Sequence, residues 1–246
     1  MNVFYLTDTG KVRDHNEDNV MIVKNSEGNY LMAVADGMGG HLSGEIASTI
    51  AINRLTERFK QSFKNKTKAE AAAWFREMAL EINDLVYSYA NEHSESTGMG
   101  TTLVAAVITK DYILFANVGD SSGFVIKNGK LRKVTEDHTL VNLLLKAGKL
   151  SPEEAEHHPN KNVLMRAFGA NDPLEIDVFD CVMDIEGILL ASDGLTNMLD
   201  EETIEEVLDL DIPIDEKVVK LINKANNRGG TDNISVAYME GFKGGE

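Results

Sequence analysis

The chain has 246 residues, of which 43% are hydrophobic, enough for one large domain or two small ones with a substantial core. Its net charge of −16 disfavours nucleic acid and anionic membranes as partners. The single cysteine, Cys181, excludes an intramolecular disulfide, and its apolar surroundings predict a buried thiol in a reducing compartment. Asp8 and Lys11 interrupt any apolar stretch at the start, and no run reaches membrane-spanning length, so we expect a cytoplasmic protein without a membrane span.

Apolar runs separated by turn residues predict strands in the first part of the chain. The strand at 30–35 is apolar at nearly every position, which favours burial on both faces. Asn128-Gly129 is a strong signal for a two-residue hairpin turn. Successive hairpins imply antiparallel sheets. The predicted strands here are 2–8, 19–24, 30–35, 101–109, 112–118, 123–127 and 130–134.

Two long helices are predicted between these strands, because apolar residues recur at helical spacing over 47–59 and 75–89. Each has one apolar stripe, which is typical of a helix that covers a sheet. Residues 140–147 predict a short apolar helix. Ser151 as N-cap with Pro152 at the first helical position predicts another, within a polar stretch that is either a flap or an ordinary connection.

The last third of the chain returns to strands and then ends in helices and one more strand. We expect a single domain over 1–240, because no internal repeat or linker divides it, and a frayed tail at 241–246. The predicted strands are 174–180, 181–184, 187–191 and 234–238, and the predicted helices are 201–209 and 215–226.

Five aspartates lie at the ends of predicted strands. Asp36, Asp120 and Asp193 each follow an apolar strand, whereas Asp18 and Asp232 each precede one. Because the end of one antiparallel strand lies beside the start of its neighbour, the five carboxylates are expected to gather at one edge. Such a cluster needs a cation, and ligands that are all oxygen select Mg²⁺, Mn²⁺ or Ca²⁺. The alternative is that these residues only form turns and cap helices.

An acidic cluster of this kind suits phosphoester chemistry. Two hard ions held roughly 3.5–4 Å apart lower the pKa of a bridging water and neutralise charge on a phosphate, so that no protein nucleophile is needed. Arg13 has the planar, two-pronged guanidinium that grips phosphate, although a surface arginine is an equally open interpretation.

Eight motifs together make the chain resemble the metal-dependent Ser/Thr protein phosphatases of the type 2C (PPM) family, and especially its bacterial members. They run in family order over about residues 2–240. The motifs are Thr7-Asp8-Thr9-Gly10 with Arg13 and Asn16-Glu17-Asp18; Ala35-Asp36-Gly37-Met38-Gly39-Gly40-His41; Gly44-Glu45-Ile46-Ala47-Ser48; Gly98-Met99-Gly100-Thr101-Thr102; Val118-Gly119-Asp120-Ser121; Asp137-His138; Ser192-Asp193-Gly194-Leu195-Thr196; and Asp232-Asn233.

The resemblance implies an α+β fold, a four-layer α-β-β-α sandwich in which two central antiparallel sheets are flanked by helices. It implies hydrolysis of phosphoserine and phosphothreonine in proteins by a water activated by two Mn²⁺ or Mg²⁺ ions, without a covalent enzyme intermediate. Asp36 would bridge the two metals, the Gly37 carbonyl would complete one of them, and Asp193 and Asp232 would hold the other.

The resemblance also assigns the remaining residues of the site. Glu17 and Asp18 would act through metal-bound water, and Asp120, with Asp193, would bind a weaker third metal. Arg13 would bind the substrate phosphate. The segment at about 142–172 would be the family's flap, which borders the site. Phosphorylated proteins and a cognate Ser/Thr kinase are the implied partners, and we expect a monomer.

Two positions depart from the family pattern. Ser122 stands where an arginine usually follows the Gly119-Asp120-Ser121 motif, and this change loosens the expected third-metal region without removing an assigned ligand. Met38 occupies the place where animal members have a histidine proposed as the general acid. Because methionine cannot donate a proton, a water on the third metal or His41 is left for that role, and His41 is equally well interpreted as a structural histidine.

Two rival hypotheses stay open at this point. The first is a pseudophosphatase, a scaffold that binds phosphoproteins without turnover, and only Ser122 favours it. The second is a Ca²⁺-binding structural module, for which Asp193→Asn would affect stability alone.

Overall fold

The computed structural model describes residues 1–40, 42–156, 158–170 and 174–242. These residues form twelve β-strands, named here in chain order. They are β1 (Asn2–Asp8), β2 (Asn19–Lys24), β3 (Tyr30–Ala35), β4 (Gly37–Met38), β5 (Gly100–Thr101), β6 (Leu103–Ile108), β7 (Ile113–Val118), β8 (Ser122–Lys127), β9 (Lys130–Lys133), β10 (Asp177–Cys181), β11 (Gly187–Ala191) and β12 (Ile234–Glu240).

Seven α-helices connect or cover these strands within the same residues. They are α1 (Ser43–Ser62), α2 (Lys68–Glu92), α3 (Leu140–Lys146), α4 (Pro152–Glu156), α5 (Asp193–Thr196), α6 (Glu201–Leu208) and α7 (Ile214–Asn227). Helix α2 begins where Thr67 and Glu70 form a reciprocal capping box, which satisfies two backbone N–H groups that the helix leaves free. Ser151 and Glu154 cap α4 in the same way, as the sequence predicts for Ser151.

Two five-stranded antiparallel sheets form the centre of the molecule. One has the order β1-β12-β11-β8-β9 and the other has the order β10-β7-β6-β3-β2. A buried apolar layer that includes Met32, Val34 and Leu190 lies between them. Helices α1 and α2 cover the outer face of the second sheet, and α6 and α7 cover the outer face of the first. The predicted four-layer α-β-β-α sandwich is therefore confirmed.

Most predicted elements lie close to their expected bounds, and the Asn128-Gly129 turn has the positive φ angles that a hairpin of this length requires. The differences concern short or weakly patterned segments. The strand predicted from 174 begins only at Asp177, and the strand predicted at 181–184 does not form. The pair β4·β5 and the four-residue helix α5 were not predicted. Of the predicted tail, 243–246 lies outside the described residues.

Cys181 ends β10 and is half-buried, so it is less enclosed than the sequence predicts. Burial raises the pKa of its thiol. In the part of the chain that the structure describes, no helix combines the length and the apolar character needed to cross a bilayer.

Candidate active site

The predicted aspartates converge because strands of both sheets end at the same edge. In one sheet, the pairing of Asn19 with Ala35 sets Asp18 beside Asp36. In the other, β11 and β12 run antiparallel, so Asp193 after β11 lies close to Asp232 before β12. Asp120 lies in the turn by which the chain passes from β7 in one sheet to β8 in the other.

These carboxyl groups surround a cavity of about 500 Å³. Asp18 is not among the lining residues in the described part of the chain; it is buried, and its Oδ2 accepts a 2.7 Å hydrogen bond from Ser192 Oγ of the other sheet. The cavity is lined by Arg13, Glu17, Asp36, Gly37, Met38, Gly39, Thr102, Asp120, Asn162, Leu164, Asp193, Asp232 and Asn233.

Burial and mutual repulsion disfavour ionisation of the aspartates. Burial raises the pKa of Asp36 well above its ordinary value, and the charges of Asp18 and Asp193 raise it further. Burial, followed by the charge of Asp193, raises the pKa of Asp18 and that of Asp120 to about 7. Burial and the charge of Asp232 also raise the pKa of Asp193. The protein alone therefore leaves these negative charges poorly compensated.

The cavity offers oxygen donors of the kind that a divalent cation needs. Within the described residues, Asp18 Oδ1 and Asp193 Oδ1 are buried without a hydrogen-bond partner, so acceptor oxygens remain available. Among those residues, no three acidic, histidine or cysteine side chains converge as a ready-made coordination sphere. The chemistry of the donors fits hard cations such as Mg²⁺ or Mn²⁺, but their side chains would have to turn toward a common point.

Arg13 and Asp232 form an ion pair that the sequence did not predict. Arg13 Nη2 lies 2.8 Å from Asp232 Oδ2, and the Arg13 side chain is 51% exposed at the cavity mouth. The other oxygen, Asp232 Oδ1, accepts a 2.9 Å hydrogen bond from the N–H of Asn233. Both oxygens of Asp232 are thus bound by protein groups. This is part of the reason why the acidic side chains do not form a ready-made coordination sphere.

Backbone packing around Gly37 is too tight for any side chain. A Cβ at Gly37 would lie 2.1 Å from the Gly44 carbonyl oxygen and 2.5 Å from that of Glu17. The N–H of Gly37 donates to the Glu17 carbonyl at 3.2 Å, and the N–H of Gly44 donates to Glu17 Oε1 at 3.3 Å. The glycines thus bring the end of β3 and the start of α1 against the residue that precedes Asp18.

His138 connects the Asp120 turn to the segment at 142–170. Its Nδ1 accepts a 3.1 Å hydrogen bond from the N–H of Gly119, so the proton is on Nε2, which lies 3.0 Å from Asp177 Oδ2. The His138 carbonyl accepts from the N–H of Met165 at 2.7 Å. His138 is therefore a structural histidine beside the site.

Several further residues at the cavity had no predicted role. Thr102 Oγ1 accepts the N–H of Asp36 at 3.0 Å, and Asn162 and Leu164 bring the segment at 142–170 to the cavity wall. Apart from the motif that contains Thr102, no local sequence pattern predicts these contacts, because they join distant parts of the chain. Ser122 is buried, its Oγ has no partner among the described residues, and it does not line the cavity. His41 lies outside the described residues, so its role as a proton donor stays a prediction.

Two antiparallel sheets between helices, with an acidic cavity at their shared edge, are the architecture of the PPM phosphatases. The serine/threonine phosphatase of Streptococcus agalactiae superposes with a TM-score of 0.92 at 37% identity, covering 96% of this chain and 98% of that one. The sequence profile of Protein phosphatase 2C matches residues 10–230. The chain belongs to the protein phosphatase 2C family.

Two relatives match over nearly the full length of both chains. The serine/threonine phosphatase Stp of Listeria welshimeri is 42% identical over 241 residues, covering 98% of this chain and 96% of the relative. The protein phosphatase PhpP of Streptococcus pneumoniae is 39% identical over 240 residues, covering 97% of each chain.

Proposed function

We propose that this protein is a metal-dependent protein-serine/threonine phosphatase. The observation that carries the proposal is the cavity that Asp36, Asp120, Asp193 and Asp232 line together with Arg13. Buried carboxylates with unsatisfied oxygens suit divalent cations, and a guanidinium next to them suits a phosphate. The relatives named serine/threonine phosphatase and protein phosphatase support phosphorylated proteins as the substrate class.

The proposed metal ligands follow the family pattern. Asp36, the Gly37 carbonyl, Asp193 and Asp232 would hold the two core ions. Asp120, with Asp193, would hold a weaker third ion. When bound, Mn²⁺ or Mg²⁺ supplies an activated water and offsets the negative charge of the phosphate.

Other residues orient the substrate and the water. Arg13 would exchange part of its pairing with Asp232 for the phosphate oxygens. Glu17, at the cavity wall, and Asp18, buried behind it, would act on the metals through water. Water attacks phosphorus, the bond to the serine or threonine oxygen breaks, and that oxygen takes up a proton. Met38 lines the cavity but carries no transferable proton, so His41 stays the proposed protein donor. A Ser/Thr kinase supplies the substrates, and the protein acts as a monomer in the cytoplasm.

The deciding experiment is dephosphorylation of a phosphothreonine peptide in Mn²⁺ and in EDTA. We expect turnover in Mn²⁺, and its loss by a factor of at least about 100 in EDTA and in Asp193→Asn. Asp184→Asn is the control, because Asp184 is exposed and pairs only with Lys127 within the described residues. A folded protein that binds Mn²⁺ and shows no turnover would refute the enzyme and favour a pseudophosphatase.

A further inference from the structure

The side chain of Asn233 uses both of its N–H donors and its acceptor oxygen on one segment. Its Nδ2 donates to the carbonyl oxygens of Thr9 at 2.8 Å and His15 at 2.9 Å, and its Oδ1 accepts the N–H of Glu17 at 2.9 Å. Asn233 is 6% exposed and lies between Asp232 and the first residue of β12. One amide thereby holds both ends of the segment at 9–17, which carries Arg13.

This segment has little else to hold it at its tip. Residues 11–15 are all exposed, so apolar packing does not fix their backbone. Nearer its start, the N–H of Lys11 donates to the Gly230 carbonyl at 2.8 Å. Gly10, with a φ of +79°, lies so close that a Cβ there would come within 2.2 Å of the Asp232 carbonyl oxygen. The position of the tip therefore depends on the ion pair of Arg13 with Asp232 and on hydrogen bonds to the backbone of the segment, of which Asn233 supplies three.

We propose that Asn233 is a positioning residue, which holds the segment at 9–17 so that the Arg13 guanidinium reaches the cavity. Only an amide provides two N–H donors and one acceptor at this place, because aspartate lacks the donors and alanine lacks all three groups. The proposal rests on the proposed function in one respect, the binding of phosphate by Arg13. The hydrogen bonds by which Asn233 fixes the segment do not depend on that function.

A double-mutant cycle separates this role from ordinary stabilisation. With a phosphothreonine peptide and Mn²⁺, Arg13→Ala is expected to lower kcat/KM by about 10–100-fold, the effect of a lost charge-assisted hydrogen bond. Asn233→Ala is expected to lower it by about 5–50-fold in the native background, but by less than about twofold in the Arg13→Ala background. If Asn233→Ala lowered kcat/KM as much in the Arg13→Ala background as in the native background, the proposal would be overturned.

Asn25 offers a matched control at the far end of β2. It is also buried, its Nδ2 donates to the Phe63 carbonyl, and its Oδ1 accepts the N–H groups of Glu27 and Asn29. Asn25→Ala removes a comparable set of hydrogen bonds far from the cavity. We expect it to lower thermal stability while leaving kcat/KM within about twofold.

A second measurement needs neither metal nor turnover. Limited trypsin digestion in EDTA is expected to cleave after Lys11 and Arg13 at least about tenfold faster in Asn233→Ala than in the native protein or in Asn25→Ala. Asn233→Asp, which keeps the shape but loses both donors, should show the same increase if the alanine variant does not fold. Equal cleavage rates would overturn the proposal. An inactive native protein would refute only the proposed phosphatase, since digestion still reports on the segment.

Discussion

Asp193 is a half-buried carboxyl group whose ionisation the protein alone disfavours. Its Oδ1 is enclosed without a partner among the described residues, and its neighbour Asp232 carries the same charge. Removing one charge from such a cluster relieves repulsion, whereas a bound cation would achieve the same end by pairing with it.

Asp193→Asn is therefore expected to stabilise the metal-free protein by about 1–2 kcal/mol at pH 8, because it relieves repulsion among buried carboxylates. Urea unfolding in EDTA measures this change. Asp184→Asn should lie within about 0.5 kcal/mol of the native protein. With Mn²⁺ added, the native protein should gain more stability than Asp193→Asn. A less stable Asp193→Asn in EDTA would show that repulsion does not dominate at this position.

At the residue level, the sequence predicted which side chains gather but not how the protein holds them. Strand ends predicted the approach of the five aspartates, and family motifs added Glu17 and Arg13. The contacts of Arg13 with Asp232 and of Asn233 with the segment at 9–17 join residues more than 200 positions apart. No local pattern encodes such pairs, since they depend on the final docking of the strands.

Among the elements, the loop between β3 and α1 holds two glycines in opposite surroundings. Gly37 faces two backbone carbonyls at distances that exclude a Cβ, whereas Gly40 has none of the described residues within 4 Å of the corresponding position. The two glycines therefore serve different purposes within one short loop.

Gly37→Ala is expected to lower the free energy of unfolding by about 2–4 kcal/mol, because the backbone of Gly44 or Glu17 must move. Gly40→Ala is the control in the same loop and should change the free energy of unfolding by less than about 0.5 kcal/mol. Urea denaturation in EDTA compares the two without any contribution from metal. Similar values for both variants would mean that the loop adapts freely.

Elements were predictable in proportion to their length and regularity. Strand β3 has a clear apolar pattern and lies at its predicted bounds. The apolar stripe predicted at 75–89 marks the centre of helix α2, which begins seven residues earlier, at Lys68, and ends at Glu92. Helix α5 has four residues, too few to show a period, and β4 exists only because Gly37 and Met38 pair with distant Gly100 and Thr101. Strand β10 begins later than its apolar pattern suggests.

For the whole molecule, the net charge of −16 affects how substrates arrive. Long-range repulsion is expected to slow the approach of acidic phosphopeptides, so under the proposed function recognition would rely on charges inside the cavity and on Arg13.

Raising the ionic strength from 10 to 100 mM shortens the screening length from about 30 to about 10 Å. We expect kcat/KM to rise a few-fold for an acidic phosphopeptide and to fall for a basic one, because screening weakens both long-range effects. A neutral phosphopeptide is the control and should change little. A slower reaction of the acidic peptide at higher salt would show that long-range attraction guides it instead.

The division of the aspartates between two sheets has a consequence for folding kinetics. Asp18 and Asp36 belong to one sheet and Asp193 and Asp232 to the other, so the four meet only after the sheets have docked. Contacts that form after the transition state slow unfolding and leave the folding rate unchanged. We therefore expect Mn²⁺ to lengthen the lifetime of the native state in stopped-flow unfolding while refolding keeps its metal-free rate. Faster refolding in Mn²⁺ would instead place the docking of the sheets early.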